Sequence, residues 1–244
     1  MSSYLELSKF YDELTEKNIS YTKRADYFDK IIRKFNAKAH TLLDIGCGTG
    51  KMCEALSKKG YNVIGSDISV DMLSIAQQNS SGDVFYICQD MRKINLASKV
   101  DVVISTLDSI NHLLKEDDVK ACFGSVYENL NEGGLFVFDM NTVYKHAVVM
   151  GNNSFVYDTD GVYLVWSSFF DEKDCKNEIV IDIFEKRGNA YYRSGESFYE
   201  RAYPLEWVKQ TLKEVGFNVI AVFDADTENE ASEKSERYVY VVRK

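Results

Sequence analysis

The chain has 244 residues, of which 45% are hydrophobic, and a formal net charge of −9 at pH 7. This length is enough for one α/β domain with additional elements, and the hydrophobic fraction predicts a globular core. The acidic balance, without any run of more than two basic residues, disfavours nonspecific nucleic-acid binding because the chain would repel the phosphate backbone.

The first predicted elements are two helices within residues 4–35, and this region contains several tyrosines. Buried aromatic side chains on amphipathic helices would explain these tyrosines as core residues. The alternative is that some of them face a ligand.

Residues 41–50 predict a buried strand that leads into a glycine-rich loop, followed by a helix from residue 51. Glycine at positions 46, 48 and 50 allows a sharp turn and close approach of a ligand. The Gly-x-Gly-x-Gly spacing lacks the extra residue of the dinucleotide-binding fingerprint, and Asp44 before the first glycine would repel phosphate and favour an amino group. The loop therefore predicts binding of a nucleoside with a zwitterionic tail.

Two more apolar strands follow, and an acidic residue comes at or just after the end of each. Asp67 lies 21 residues after Gly46, where a carboxylate accepts ribose hydroxyls in related nucleotide-binding folds. Asp90 and Met91 come just after a strand over residues 84–88. Asp67 is therefore a candidate for the recognition of a nucleoside.

The segment from Asp44 to Gly50 resembles the first motif of the class I S-adenosylmethionine (SAM)-dependent methyltransferases, and the downstream spacing continues the resemblance. The family implies SAM as the cofactor, with Asp67 on the ribose, Asp90 on the adenine amino group and Met91 covering the ring. The cofactor-binding residues expected from this resemblance and from their positions are Asp44, Gly46, Cys47, Gly48, Gly50, Asp67, Ile68, Asp90, Met91 and Asp108.

The remaining scaffold alternates strands and helices. Apolar periodicity predicts a strand at 100–105, a helix through 119–130 that ends at Asn131 to Gly134, and a strand at 135–138. Near-continuous apolar strands between helices predict a parallel sheet covered on both faces.

The C-terminal part returns to this scaffold. Pro204 opens a helix that Gly216 closes, and strands at 217–223 and 237–242 follow. The acidic segment 224–236 between them has no helical pattern, so we expect a solvated loop and an antiparallel pair of strands. Together with the resemblance, this predicts an α/β fold with a Rossmann-like, mostly parallel seven-stranded sheet ending in an antiparallel hairpin.

Residues 144–202 differ in pattern, because their periodicity drops to two and hairpin turns occur at 160–161 and 188–189. They predict a small antiparallel sheet inserted between 1–143 and 203–244, the SAM-binding domain with its N-terminal helical cap. The insert would serve as a substrate or lid subdomain, or as a homodimer interface. Its candidate lining residues for either role are Trp166, Phe169, Phe170, Tyr191, Tyr192 and Arg193.

Candidates for the chemistry follow the fourth and fifth strands. His112 is the best-placed titratable base, although a lone histidine is more often a packing or capping residue. By resemblance to small-molecule methyltransferases, Tyr11 and Tyr21 would lie near the sulfonium. Asn111, Asp139 and Asn141 are the expected substrate-binding residues; the simpler explanation of an Asp or Asn at a strand end is that it turns the chain.

The pattern as a whole resembles the sugar-amine and glycine N-methyltransferase-like groups, which implies methyl transfer to a small-molecule amine or hydroxyl. Two alternatives remain: a non-catalytic SAM-binding or interaction protein, and an NAD(P)-dependent oxidoreductase. Five cysteines without Cys-x-x-Cys spacing predict neither a disulfide framework nor a metal site. A cytoplasmic protein without nucleic-acid or membrane partners is expected, since neither a signal pattern nor a spanning apolar run occurs.

Overall fold

The structure is a computed structural model that describes residues 20–244. Tyr11 and the first part of the predicted N-terminal helical cap lie outside the described residues. The described strands, in chain order, are β1 Thr41–Ile45, β2 Asn62–Asp67, β3 Val84–Cys88, β4 Val100–Ser105, β5 Leu130–Asn141, β6 Ser154–Asp158, β7 Val162–Asp171, β8 Lys176–Arg187, β9 Ala190–Arg201, β10 Asn218–Asp224 and β11 Arg237–Arg243.

In the described part of the chain, residues 20–244, five α-helices alternate with these strands, and three short helical turns lie between them. The α-helices are α1 Tyr21–Phe35, α2 Lys51–Ser57, α3 Val70–Gln78, α4 Glu116–Asn129 and α5 Leu205–Val215. The short turns are two 3₁₀ turns, Met91–Lys93 and Ser109–His112, and a π-helical turn, Lys145–Met150. Within residues 20–244, no helix has the length and apolar character needed to cross a membrane.

The main sheet has the strand order β10-β11-β5-β4-β1-β2-β3. Strand β11 is antiparallel to both of its neighbours, while β1 to β5 pair in parallel. The predicted seven-stranded, mostly parallel sheet with a terminal antiparallel hairpin is therefore confirmed. Because consecutive side chains of a strand point to opposite faces, Leu42 and Leu43 enter two different cores.

Strands β6 to β9 form a separate antiparallel sheet, as the period of two predicted. One face of this sheet is apolar and packs into its own core, which contains Leu164, Ile181, Ile183 and Phe198. Gly188 has a φ of 62° in the β8–β9 turn, which is the backbone conformation that favours glycine at a tight hairpin.

Two sequence-based expectations differ from the structure. Strand β5 begins at Leu130, five residues before the predicted start, since the Asn131 to Gly134 segment bulges between the pairs Val100 with Leu130 and Val102 with Leu135. The acidic segment 224–236 is not simply solvated. Its carboxylates bind the basic face of α1, with Asp226 on Arg24 and Glu228 on Lys30 and Lys34.

Candidate active site

The glycine loop joins β1 to α2 at the carboxyl edge of the parallel strands. The N–H groups of Gly46 and Cys47 both donate to the carbonyl of Ser66, at 2.8 and 3.0 Å. Gly46 has a φ of 70°, and a Cβ there would lie 2.6 Å from the Cβ of Ser109. Gly48 has a φ of 53°, and a Cβ there would meet no atom of residues 20–244 within 4 Å. The loop is thus closed on one side and open to a ligand at Gly48.

Asp44 is a buried carboxylate with an unused oxygen. Its side chain is 1% exposed, and its Oδ2 accepts a hydrogen bond from Cys53 Sγ at 3.3 Å. Its Oδ1 is buried without any hydrogen-bond partner among residues 20–244. Burial, aided by the charges of Asp67 and Asp139, raises the pKa of Asp44 to about 7 although the Cys53 bond lowers it. A cationic amino group at Oδ1 would satisfy this carboxylate.

Asp67 ends β2 and holds the glycine loop. Its Oδ2 accepts the N–H of Gly48 and its Oδ1 accepts the N–H of Ser69, each at 2.8 Å. The backbone of Ile68 also donates to this carboxylate. Because a carboxylate accepts up to about four hydrogen bonds, Asp67 can still accept a further donor such as a hydroxyl. The neighbouring Ile68 side chain is 63% exposed, so an apolar surface lies beside this carboxylate.

Asp90 and Met91 follow β3. Asp90 caps the short turn by accepting the N–H of Arg92, and its carboxylate also accepts two bonds from the Arg92 guanidinium through Nε and Nη2. The hydrogen bonds from Arg92 lower the pKa of Asp90 against the effect of burial. The methyl carbon of Met91 lies 3.4 Å from the position of a Cβ at Gly46, so Met91 flanks the glycine loop.

His112 ends the Ser109–His112 turn after β4. Its ring packs on Phe198 of β9, with 5.4 Å between the ring centroids. Burial raises the pKa of Asp67, and the nearby imidazole of His112 opposes that rise. The hydrogen bond from His146 and, to a smaller extent, His112 lower the pKa of Glu200 despite its burial. The imidazole therefore lies within electrostatic reach of a carboxylate on the glycine-loop side and of one on the insert side.

Comparison with known proteins agrees with this geometry. A family profile described as "Methyltransferase domain" matches residues 42–134. The protein named "Putative methyltransferase YqeM" of Bacillus subtilis (strain 168) is 32% identical over 99% of this chain and 97% of its own length. The chain belongs to the SAM-dependent methyltransferases.

Two other similarities describe this methyltransferase further. The crystal structure of a SAM-dependent methyltransferase from Clostridium acetobutylicum ATCC 824 superposes with a TM-score of 0.88, at 32% identity and 99% coverage of both chains. A dTDP-3-amino-3,4,6-trideoxy-α-D-glucopyranose N,N-dimethyltransferase from Streptomyces venezuelae is 30% identical over 49% of this chain and 50% of its own. The expected family, cofactor and enzyme class are confirmed, and the oxidoreductase and non-catalytic alternatives lose their support.

The residues present in the methyltransferase fit SAM. The unpaired Oδ1 of Asp44 suits the ammonium of the methionine part, the remaining acceptor capacity of Asp67 suits the ribose hydroxyls, and the exposed Ile68 suits the base. The individual contacts of these residues with SAM remain predictions. Asp90 requires one adjustment, because its carboxylate is shared with Arg92 and would have to serve the adenine amino group as well.

Asn111 and Asn141 do not lie open to a substrate as expected. Asn111 is fully buried; its Nδ2 donates to the carbonyls of Asn141 and Arg201, and its Oδ1 accepts the Asn141 N–H. The Asn141 side chain donates to Glu200 and accepts from Lys145. Both N–H donors of the Asn111 amide and one lone pair of its oxygen are thus used to join the turn after β4 to β5 and β9, and a substrate contact of Asn111 or Asn141 stays a prediction.

Asp139 was expected to bind a cationic acceptor, but its carboxylate is enclosed. It is fully buried and pairs with Arg24 and Arg237. Burial would raise the pKa of Asp139, but the two guanidinium groups and two backbone N–H groups hold it well below its usual range. A second cation from a substrate has no oxygen to bind, since both oxygens already accept two donors.

The remaining expected residues are spread over different surfaces. Tyr21 begins α1 and lines a cavity of about 610 Å³ together with Lys51, Glu54 and Ala55 of α2; its contact with the sulfonium remains a prediction. In the insert, strand alternation places Trp166 beside Phe198, at 6.0 Å, and leaves Phe169 exposed on the opposite face. One pocket therefore cannot contain all six of the aromatic and arginine candidates. The roles of the insert as an acceptor pocket and as a dimer interface both remain predictions.

Sequence reasoning missed three charged residues near the site: Glu200, Arg24 and Arg237. Glu200 and His146 form a buried pair at 3.1 Å, and Arg24 and Arg237 form the ion pairs of Asp139. A signal for Arg24 was present, because it lies on the same helical face as Ala25, Phe28, Ile31 and Ile32, all of which are buried. An arginine on an apolar helix face indicates a buried acidic partner, but it does not identify which acid.

Proposed function

We propose that this methyltransferase transfers a methyl group to the nitrogen of a small-molecule amine, and that His112 receives the proton that the nitrogen loses. The position of His112 carries the assignment of the proton acceptor, and the name of a relative supports the amine. The imidazole is the titratable base on the turn after β4, packed on Phe198 and within electrostatic reach of Asp67 and Glu200. The amino-sugar specificity of the Streptomyces venezuelae relative, named above, supports an amine acceptor.

The chemistry requires placement more than strong acid or base catalysis. SAM supplies a methyl carbon on a positively charged sulfur that becomes neutral when the carbon–sulfur bond breaks. The acceptor nitrogen uses its lone pair for the new bond, and its proton passes to His112 Nδ1 or Nε2, or to water. The protein's part is to hold the nitrogen near the methyl carbon and to keep water away, and orientation of this kind supplies a large share of the rate.

The same contacts support different roles for the two sheets. We propose that residues 1–143 and 203–244 hold the cofactor, and that the insert 144–202 completes the acceptor side. Strand β9 supports this assignment, because it brings Phe198 against His112 and Glu200 against Asn141. A hydroxyl acceptor is the second candidate, since a base such as His112 would serve it more directly than it serves an amine.

Turnover with matched acceptors tests the proposal. Purified protein would be incubated with methyl-labelled SAM and with pairs of amino sugars, amino acids and their hydroxyl counterparts, and transferred label would be measured. We expect transfer to at least one amine, at a rate about 10²-fold above its hydroxyl counterpart. Transfer to the hydroxyl compound instead, or to protein or RNA alone, would contradict an amine acceptor.

A further inference from the structure

Two consecutive residues after β4 have an unusual backbone. Leu107 and Asp108 have φ values of 58° and 59°, in the left-handed region that residues with a Cβ disfavour. The other non-glycine residues with positive φ in the described chain, Cys175 and Asp226, occur singly in turns. Two such residues in succession persist only when the surrounding structure holds them.

The side chain of Asp139 holds both residues. Its Oδ2 accepts the N–H of Leu107 at 3.0 Å, and its Oδ1 accepts the N–H of Asp108 at 2.9 Å. Asp139 is fully buried on β5, and its backbone pairs with Val239 of β11. One rigidly placed carboxylate thus binds the N–H groups of both left-handed residues.

Two arginines from distant parts of the chain hold this carboxylate in turn. Arg24 of α1 binds Oδ2, and Arg237 of β11 binds Oδ1 at 2.6 Å while its other terminal nitrogen binds the carboxylate of Asp108 at 2.6 Å. Helix α1 is fastened to the β10–β11 connection by Arg24 on Asp226 and by the Tyr27 hydroxyl on the carbonyl of Thr227. The ion pairs therefore connect α1, β5, β11 and the residues after β4.

The same two residues set the position of the turn that follows them. Ser109 Oγ lies 3.1 Å from the carbonyl oxygen of Gly46 and 2.9 Å from that of Thr106. The close approach of Ser109 to Gly46 leaves little room for the turn to shift toward the glycine loop. His112 ends this turn, so its place relative to the glycine loop depends on the backbone at 107–108.

We propose that Asp139 is a positioning residue, which holds Leu107 and Asp108 in the left-handed conformation and so sets Ser109 against the glycine loop and His112 in the cleft. Arg24 makes this arrangement depend on the docking of α1. The role of His112 as proton acceptor rests on the proposed function above. The role of Asp139 in holding residues 107–108 does not depend on that function.

The positioning role of Asp139 can be distinguished from that of a buried ion-pair partner by testing whether a glycine at position 107 restores the function lost on substitution of Asp139. Asp139→Asn keeps the shape of the side chain but replaces one accepting oxygen with a donor that faces an N–H or a guanidinium. We expect it to weaken S-adenosylhomocysteine binding about tenfold or more and to increase hydrogen exchange of residues 106–112. Adding Leu107→Gly to Asp139→Asn should recover at least half of that loss on a logarithmic scale, since glycine adopts this backbone without a steric cost.

Three control variants define the comparison. Leu107→Gly alone should change affinity less than about threefold, and so should Asp226→Asn, which removes the exposed partner of Arg24. Leu114→Gly, combined with Asp139→Asn, tests whether glycine elsewhere in the same connection restores binding. If Asp139→Asn does not fold, Arg24→Gln replaces it. We then expect about a threefold loss of affinity for S-adenosylhomocysteine, which Leu107→Gly should again recover in part.

The outcomes are distinct. Loss of binding without rescue by Leu107→Gly, in either background, overturns the positioning role and leaves Asp139 as a buried ion-pair partner. Rescue by Leu114→Gly to the same extent also overturns it, because the effect would then be general flexibility. Neither binding nor hydrogen exchange requires a methyl acceptor, so a clear rescue without turnover of any amine would refute the proposed function and leave the positioning role intact.

Discussion

Asp44 and Asp139 are two completely buried carboxylates that act on each other electrostatically and have opposite pKa shifts. Burial raises the pKa of Asp44, with smaller contributions from the charges of Asp67 and Asp139, while the pKa of Asp139 is held low by Arg237 and Arg24 despite its burial. The difference lies in their partners, because Asp139 accepts four donors and Asp44 accepts one thiol. One acid is satisfied within the chain, and the other retains an oxygen for a ligand.

This difference predicts a pH dependence of cofactor binding. Asp44 has a pKa of about 7 in the ligand-free protein, and an ammonium at its Oδ1 would lower that pKa because opposite charges favour the ionised form. Binding is then coupled to loss of a proton. Affinity for S-adenosylhomocysteine should rise with pH and level off above 7, with losses of up to about tenfold for each pH unit below it.

Isothermal titration across about pH 5.5 to 8 measures this slope. Asp44→Asn should lower the affinity and remove the pH dependence, as the amide does not titrate. 5′-Methylthioadenosine, which lacks the amino-acid part, should bind with little pH dependence even to the unaltered protein. A slope that persists in Asp44→Asn would assign the titration to another group.

Removal of the Asp67 carboxylate should weaken binding of both ligands. Asp67→Ala loses two charge-assisted bonds to the ribose and the bonds that hold Gly48 and Ser69, so we expect about 10²-fold weaker binding of S-adenosylhomocysteine. The same loss is expected for 5′-methylthioadenosine, which keeps the ribose. Asp71→Asn, on the exposed first turn of α3, is the matched control. Affinity within about twofold of the original in Asp67→Ala would refute the ribose assignment.

Substitution of His112 should affect turnover and not cofactor binding. His112→Gln removes the proton acceptor, and we expect kcat to fall about 10²-fold or more. Affinity for S-adenosylhomocysteine should stay within about twofold, because the interactions assigned to the cofactor do not include the imidazole. The measurements are steady-state kinetics with the amine identified as acceptor and calorimetric binding. An equal loss of kcat and of affinity for S-adenosylhomocysteine would instead indicate that His112 shapes the cofactor site.

Loss of the Asn111 side chain should reduce stability. Asn111→Ala leaves the N–H of Asn141 and the carbonyls of Asn141 and Arg201 unpaired in the buried junction of β5 and β9. We expect the free energy of unfolding to fall by about 2–4 kcal/mol, as measured by urea denaturation. Asn131→Ala removes a less buried bond to Asp101 and should cost about 1 kcal/mol or less. Similar losses in both variants would mean that the junction contributes little.

The local sequence determined the elements, the order of the scaffold and the cofactor loop. Strand and helix periodicities are properties of short segments, and the glycines at 46, 48 and 50 encode a backbone conformation that no neighbour needs to supply. The period of two in residues 144–202 likewise identified the separate antiparallel sheet. The long-range hydrogen bonds of Asn111 and Asn141 were not predicted, because a polar residue in a turn or at a strand end looks the same for a substrate contact and for a bond to another sheet.

Only the tertiary structure decided which polar groups are satisfied. The partners of Asp139, Arg24 and Arg237, lie 115 and 98 residues away in the chain, a separation at which sequence pattern carries no pairing information. The strand order brings β11 beside β5, and α1 packs across this edge, so the two arginines and one acid meet in a buried site. Burial makes such pairing obligatory, and the lack of a partner for Asp44 Oδ1 within residues 20–244 supports the prediction that this carboxylate binds the cofactor.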